Sequence, residues 1–282
     1  MFARECEEPR RVSKYGRQGS VIMARLEYER FAEIYSTWTA TAASAQANQA
    51  FYVDAYLATD GPVVELGVGD GRLAVEAARR GCAMVGVDLS PAMLELCRAR
   101  ADRAGVIDRL TLLQADFRAF TLAEPAALIA LPYHSLGHLL TLDAKREAIR
   151  HIHAQLRPGG RFVFDDFVMT PERLDRVRQV QLRAAYRTAG GREALLWVTS
   201  LVDEAAQSMR VVTWEDELDA DNSLHHRRYR FLSLSWLDPA EARQLLEEAG
   251  FTIESCYGNF DRTPFAAATA AEQIWVARKE TR

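Results

Sequence analysis

From Gly61 onward the chain alternates between two hydrophobic periods. Short, nearly unbroken apolar runs at residues 63–66, 83–87, 110–113, 127–131 and 161–164 read as strands buried on both sides. Between them apolar residues recur at helical spacing: Leu73, Ala74, Ala77 and Ala78, then Met93, Leu94 and Cys97, then Ile149, Ile152 and Leu156. The punctuation agrees. Ser90-Pro91 predicts an N-cap with proline at the first helical position, and Asp143 predicts a second cap. Gly81 and Pro158-Gly159-Gly160 predict helix ends. Strand–helix alternation with short connections predicts an α/β fold with a parallel sheet covered on both faces.

The pattern changes after Pro171. Residues 171–192 carry six arginines and two acids at helical spacing up to Gly190-Gly191, which predicts a helix. Three strand-like runs follow, at 195–202, 209–217 and 227–237, and Leu232, Leu234 and Trp236 alternate with Ser233 and Ser235 as in a half-buried antiparallel sheet. Asp238-Pro239-Ala240-Glu241 predicts a capped helix ending at Gly250, with closing strands at 251–257 and 274–277. The antiparallel block therefore interrupts a single sheet as an inserted cover. The expected organisation is a disordered arm over 1–22, an N-terminal helical cap over 23–58 and a core over 59–170. The cover spans 171–237, and the C-terminal helix and closing strands span 238–282.

Composition narrows the classes. The 282 residues are 49% hydrophobic and 26% charged, the values of an ordinary globular protein. The net charge is −4, so a basic stripe for nucleic acid is not expected. No long uncharged apolar stretch predicts a membrane span. Cys6, Cys82, Cys97 and Cys256 are scattered, without zinc spacing, which suits reduced thiols in a cytoplasmic protein. Residues 1–22, with five basic and three acidic residues, lack the apolar region of a signal peptide.

Ligands of open parallel sheets bind beyond the carboxyl ends of the strands. That places Gly67-Val68-Gly69-Asp70-Gly71, Asp88, Asp116 and residues 131–138 at a candidate site. Glycines after a strand permit a tight turn, close backbone approach and free N–H groups at a helix start. An acid at the end of the next strand, Asp88, suits a pair of ribose hydroxyls. The dinucleotide spacing requires a third glycine at position 72, which is Arg.

Val64-Glu65-Leu66-Gly67-Val68-Gly69-Asp70-Gly71, with Val87-Asp88-Leu89-Ser90 and Leu156-Arg157-Pro158-Gly159-Gly160, resembles the class I S-adenosylmethionine-dependent methyltransferases. The resemblance covers roughly residues 60–166. It implies a Rossmann-like sheet of seven strands with the last antiparallel, and S-adenosylmethionine as cofactor with S-adenosylhomocysteine as product. It further implies that Glu65, Gly67, Gly69 and Gly71 hold the methionyl part, with Arg72 reaching the donor carboxylate. Asp88 takes the ribose, Leu89 and Met93 pack on the adenine, Asp116 takes the adenine amine and Phe117 lies beside it. Ala130 and Leu131 offer backbone to the ammonium. Tyr35, on an N-terminal helix over the donor, caps the carboxylate or sulfonium side.

Ser135-Leu136-Gly137-His138 is similar to the corresponding stretch of sugar N,N-dimethyltransferases, where the final His lies next to the acceptor amine, and glycine N-methyltransferase-like enzymes share the strand-rich cover. An amine must be neutral to attack, and a His near its ordinary pKa suits removal of the proton. His138 is the first candidate base and His134 the second, with Tyr35 beside them. Trp38, Tyr133, Tyr229 and Arg262 are candidate substrate contacts. The arginines of 171–192 read either as a solvated face or as a wall for a diphosphate or carboxylate. Asp165-Asp166 read as acceptor-positioning or structural. A carboxylate cluster for a metal needs a partner acid that the sequence does not show, so no metal is expected. His151 and His153 are expected at the surface. The reaction expected is methyl transfer to a small molecule of natural-product type, preferably an amine such as an amino sugar or amino acid. Oxygen or carbon acceptors, and a displacement releasing methylthioadenosine, stay as alternatives. A homodimer is left open.

Overall fold

The structure, a computed structural model, describes residues 44–188 and 190–281, with Ile34 and Thr37 before them. The expected arm and much of the expected helical cap lie outside the described residues, as do Tyr35 and Trp38.

The core alternates in chain order. Helix α1 (Ser44–Leu57) precedes β1 (Val63–Leu66), α2 (Arg72–Arg79), β2 (Met84–Asp88), α3 (Pro91–Arg103), β3 (Leu110–Gln114), β4 (Ala126–Leu131), α4 (Leu142–Gln155) and β5 (Leu156–Phe167). After the inserted segment come α6 (Pro239–Glu248), β10 (Phe251–Tyr257) and β11 (Glu272–Lys279). Among the described residues these strands form a seven-stranded sheet of order β10-β11-β5-β4-β1-β2-β3. β1 through β5 run parallel, and β11 lies antiparallel between β5 and β10. The parallel strands are those that the alternation predicts, and the seven strands with an antiparallel member are what the resemblance implies. The strand order reverses at β1 and β4, the crevice where such sheets take ligands.

Burial explains the pattern. Every residue of β1 and of β4 is buried, as strands covered on both faces require. Ile149 and Ile152 of α4 and Leu245 and Leu246 of α6 pack on one side of the sheet with Ile129, Leu131, Phe162 and Phe164. Tyr52 and Tyr56 of α1 and Leu73, Ala74 and Ala77 of α2 cover the other, with Val63, Leu128 and Ala130. Ser90 caps α3 through its hydroxyl, which accepts from the Met93 N–H (3.3 Å). The second expected cap is corrected. Thr141, not Asp143, accepts the free N–H, from Ala144, because its extended backbone places the hydroxyl over the first turn. Asp143 sits inside that turn and pairs with Arg146.

The inserted segment holds α5 (Pro171–Arg178) and an antiparallel sheet, β6 (Gln181–Arg187), β7 (Glu193–Asp203), β8 (Ser208–Leu218) and β9 (Leu224–Ser235), in sequential order. The helix expected over 171–192 therefore stops at Arg178, and the chain turns into a strand that the arginines concealed. Pairing with β7 overrides the helical spacing, since it satisfies a whole row of backbone groups. Trp197 and Trp214 face each other across β7 and β8, their rings stacked at 6.2 Å. Both ends of the insert meet at Gln273. Its buried Nε2 donates to the Phe167 carbonyl at 3.1 Å and to the Leu237 carbonyl at 2.6 Å, and the Leu237 N–H donates to Asp166 (3.0 Å).

Candidate active site

The Gly67–Gly71 turn joins the end of β1 to the start of α2. Gly67, Gly69 and Gly71 all have positive φ (66°, 56° and 79°), a conformation that costs other residues energy. At Gly71 a β-carbon would also stand 2.5 Å from the Cys97 sulfur. At the end of β2, Asp88 Oδ2 accepts from the Gly69 N–H and Oδ1 from the Ser90 N–H, both at 2.9 Å. Burial pushes the Asp88 carboxyl up, and the N–H donors of Ser90, Gly69 and Leu89 oppose it. Asp88 thus binds the glycine turn to the start of α3 and fixes one carboxylate at the crevice.

Beneath the turn lies a buried polar group that the sequence motifs do not show. Asn48, Tyr52 and Tyr56 recur every fourth residue along α1, so they share one face. Arg72 donates to Asn48 Oδ1 (2.9 Å) and lies 5.7 Å from the centre of the Tyr133 ring. Burial pushes the Glu65 carboxyl up to about 8, against the pull of Arg72. Asn48 Nδ2, the Tyr56 hydroxyl and Glu65 Oε2 are buried without a hydrogen-bond partner among the described residues. Such atoms are costly unless a ligand satisfies them. An acceptor beside an arginine and an amide donor fits the ammonium and carboxylate of an amino acid.

The other expected donor contacts fall as follows. Met93 is fully buried in the core, and Leu89 is half-buried beside it. Asp116 is held by the Arg118 side chain, which donates to both carboxylate oxygens. Burial would raise the Asp116 pKa, and Arg118 outweighs it and holds it low. Phe117 packs half-buried at the edge of the core, and Ala130 and Leu131 are fully buried. His151 and His153 are half-buried, not at the surface. The His151 ring meets Phe120 edge-on and its Nε2 lies 2.6 Å from the Phe120 carbonyl, while the His153 ring meets Phe251.

The acceptor side is built on the turn after β4. Tyr133 and His134 both adopt left-handed backbone (φ 60° and 58°), and a 3-10 turn follows at Ser135–His138. Two successive non-glycine residues in that region are strained, and the surroundings must hold them there. Asp165, fully buried at the end of β5, accepts from the Tyr133 N–H through Oδ1 (2.9 Å) and from the His134 N–H through Oδ2 (3.0 Å). The Tyr52 hydroxyl donates to Asp165 Oδ1 as well.

His134 and His138 differ sharply. His134 Nε2 lies 2.7 Å from Glu272 and 3.4 Å from Asp165. Burial alone would lower its pKa, but the Glu272 and Asp165 carboxylates outweigh it and hold it above the ordinary value. Glu272 is the partner acid that the sequence does not reveal. His134, Asp165 and Glu272 bring ligand-type atoms within 4.8 Å of one another, and Arg173 completes the group by pairing with Glu272 (3.3 Å). The charges of the group are matched by its own members. His138 is pushed down to about 3 by burial and by nearby Lys145 and His134. It stays neutral at ordinary pH, which alters the role expected of it. Lys145, itself lowered to about 8 by burial, donates to the Leu136 carbonyl at 2.8 Å.

Tyr133 therefore faces Arg72 on the donor side. Of the other expected substrate contacts, Trp38 lies outside the described residues. Tyr229 continues the Trp197–Trp214 row and is 51% exposed, and Arg262 is an exposed residue over the Phe51 ring.

Comparison with known proteins agrees with this fold. Residues 63–160 match the family model described as a methyltransferase domain. An uncharacterized methyltransferase of Oceanobacillus iheyensis is 34% identical over 105 residues, 37% of this chain and 46% of that protein. The chain thus spans less than half the length of that curated relative. Among solved structures, the CcbJ methyltransferase from Streptomyces caelestis matches with a TM-score of 0.73 at 24% identity, over 89% of this chain and 96% of its own. The sugar N-methyltransferase KedS8 from Streptoalloteichus matches with a TM-score of 0.66 at 16% identity, over 99% and 98%. These structures share the fold across the core and the cover. Residues 63–160, with their glycine turn and Asp88, match a methyltransferase domain, and the chain shares the fold of these methyltransferase structures.

Proposed function

We propose that the whole chain transfers a methyl group from S-adenosylmethionine to a small-molecule amine, an amino sugar or amino acid being the preferred class. The observation that carries the donor half is the buried trio of Asn48 Nδ2, Tyr56 hydroxyl and Glu65 Oε2 beside Arg72, directly below the glycine turn. A donor seated there has its ammonium at Glu65, its carboxylate toward Arg72 and Asn48, and its ribose at Asp88. Support for the amine comes from the sugar N-methyltransferase among the structures of like fold.

The chemistry asks mainly for placement. The amine lone pair attacks the methyl carbon, the carbon–sulfur bond breaks, and its electron pair stays on sulfur. Holding the two in near-attack geometry supplies roughly 7–11 kcal/mol. The product ammonium then gives its proton to water. His138, neutral and weakly basic, orients the amine by accepting its N–H and does not store that proton near neutral pH. This differs from the general base expected from the sequence, because burial removes the basicity on which that role rests. His134, held with a raised pKa by two carboxylates, is a positioning group in this reading.

The test is calorimetry with S-adenosylmethionine, S-adenosylhomocysteine and NAD in turn, then mass spectrometry of the donor incubated with a panel of amines and alcohols. Micromolar binding of the first two, no binding of NAD and S-adenosylhomocysteine formed with an amine support the reading. Methylation of alcohols alone would move the acceptor to oxygen. Methylthioadenosine as the product would replace methyl transfer with another displacement.

A further inference from the structure

The turn between β4 and α4 is held at several points. Ser135 lies against the glycine turn, since a β-carbon on Gly67 would stand 3.1 Å from its hydroxyl oxygen. The Ser135 hydroxyl donates to the Pro132 carbonyl (2.6 Å), and the Gly137 N–H donates to the His134 carbonyl (2.8 Å). Lys145 reaches Leu136 from α4, and Ser235 of the cover donates to the carbonyls of Leu139 (2.8 Å) and Gly137 (3.3 Å). None of these contacts engages the strained residues themselves through their N–H groups. Asp165 does so for both, and Tyr52 anchors it from the helix that also carries Asn48 and Tyr56.

We propose that Asp165 is the positioning residue of the acceptor side: by accepting from the N–H groups of Tyr133 and His134 it fixes their left-handed backbone, and with it the place of His138. The inference rests on the proposed methyl transfer for its use, though not for its geometry. Asp165 is fully buried. It acts through the turn, which stands between the glycine turn and the cover. Because Tyr52 belongs to α1, the same carboxylate ties the acceptor turn to the helix beneath the donor.

The argument fixes what removal does. Asparagine at 165 keeps one acceptor oxygen and turns an amide N–H₂ toward a backbone N–H. The left-handed pair loses half its restraint and relaxes, and the turn opens to water. Glycine at 134 adopts the left-handed region at little cost, so it removes the need for restraint at one of the two strained residues.

The experiment compares the wild type, Asp165→Asn, His134→Gly and the double variant by hydrogen exchange of the peptide spanning residues 132–139 and by NMR titration of the His138 ring. Lys145 and His134 face that ring in the wild type, which does not titrate between pH 5 and 8 because its pKa is about 3. In Asp165→Asn, exchange of the peptide rises at least about tenfold and His138 moves toward the ordinary value of about 6.5. The double variant regains much of the protection. Unchanged exchange and an unchanged His138 in Asp165→Asn overturn the proposal. So does a double variant no better protected than the single one. If Asp165→Asn does not fold, rescue of folding by His134→Gly supports it and failure to rescue overturns it. S-adenosylhomocysteine affinity is measured in parallel on the wild type. Its absence ends the methyl-transfer reading and leaves the exchange result standing.

Discussion

Gly137 and Ser235 touch backbone to backbone: a β-carbon on Gly137 would stand 2.7 Å from the Ser235 carbonyl oxygen. The acceptor turn and the last cover strand meet there with no room for a methyl group. Gly137→Ala should therefore destabilise the protein by about 1–3 kcal/mol through overpacking. Urea denaturation followed by circular dichroism reads this directly, and stability equal to the wild type would mean that the strand end yields.

Asp88 supports the glycine turn and, in the proposed function, the ribose. Asp88→Ala should weaken S-adenosylhomocysteine binding by about 1–3 kcal/mol, the cost of an unmade buried hydrogen-bond pair. Isothermal calorimetry measures it. Undiminished affinity would place the ribose elsewhere.

Glu65 has a folded pKa of about 8, above the 4.5 of an unstrained carboxyl, because burial disfavours its charge. The folded state therefore holds a proton that the unfolded state releases, and stability falls as pH rises from about 4.5 to about 8. Glu65→Gln removes this slope. Its melting temperature should exceed that of the wild type most at about pH 8 and converge with it near pH 4.5. The same variant should bind S-adenosylmethionine more weakly, which separates the functional cost from the gain in stability.

His134 and Glu272 stabilise one another within a window. The raised His134 pKa gives a contribution that is full below the ordinary histidine value and is lost as pH rises through the folded value. Burial would raise Glu272, but His134 and Arg173 outweigh it and hold it low, so its contribution is present above the ordinary carboxylate value and is lost on acidification. Glu272→Gln should therefore cost most between about pH 4.5 and 6.5, by ~3–5 kcal/mol, and less in alkali. Denaturation at a series of pH values checks this, and a flat cost would mean that the pair is unimportant.

His138 predicts acid sensitivity. Its folded pKa of about 3 lies below the ordinary value, so the unfolded chain binds a proton that the folded one does not as pH falls from about 6.5 toward 3. His138→Asn should flatten the acid limb of the stability profile. A limb of unchanged slope would place the sensitive group elsewhere.

The legible parts of this molecule are the local ones. The glycine turn, Asp88, the Ser90-Pro91 cap and the order of core elements each lie in a few consecutive residues whose spacing states their conformation. Asn48, Tyr52 and Tyr56 are spaced to share a helix face, yet that spacing alone does not distinguish a packing stripe from a buried polar group. The His134–Glu272 pair joins positions 138 residues apart, and no periodicity carries such a contact. β6 was concealed because its arginines suit a helix surface equally well, and only its pairing with β7 decides between them. The basicity of His138 depends on how deeply the turn is covered, a property of the folded molecule and of no segment within it.

Gln273 binds the two ends of the inserted segment with a single amide, at Phe167 and at Leu237. A loop pinched shut at its base imposes little on the scaffold that carries it. The far hairpins of the insert, β6 to β8, can lengthen or shorten while β5 and α6 keep their places, whereas Ser235 is tied to the turn it packs on. The far part of the cover is in this sense a tethered attachment, whose length the two hydrogen bonds of one amide leave open.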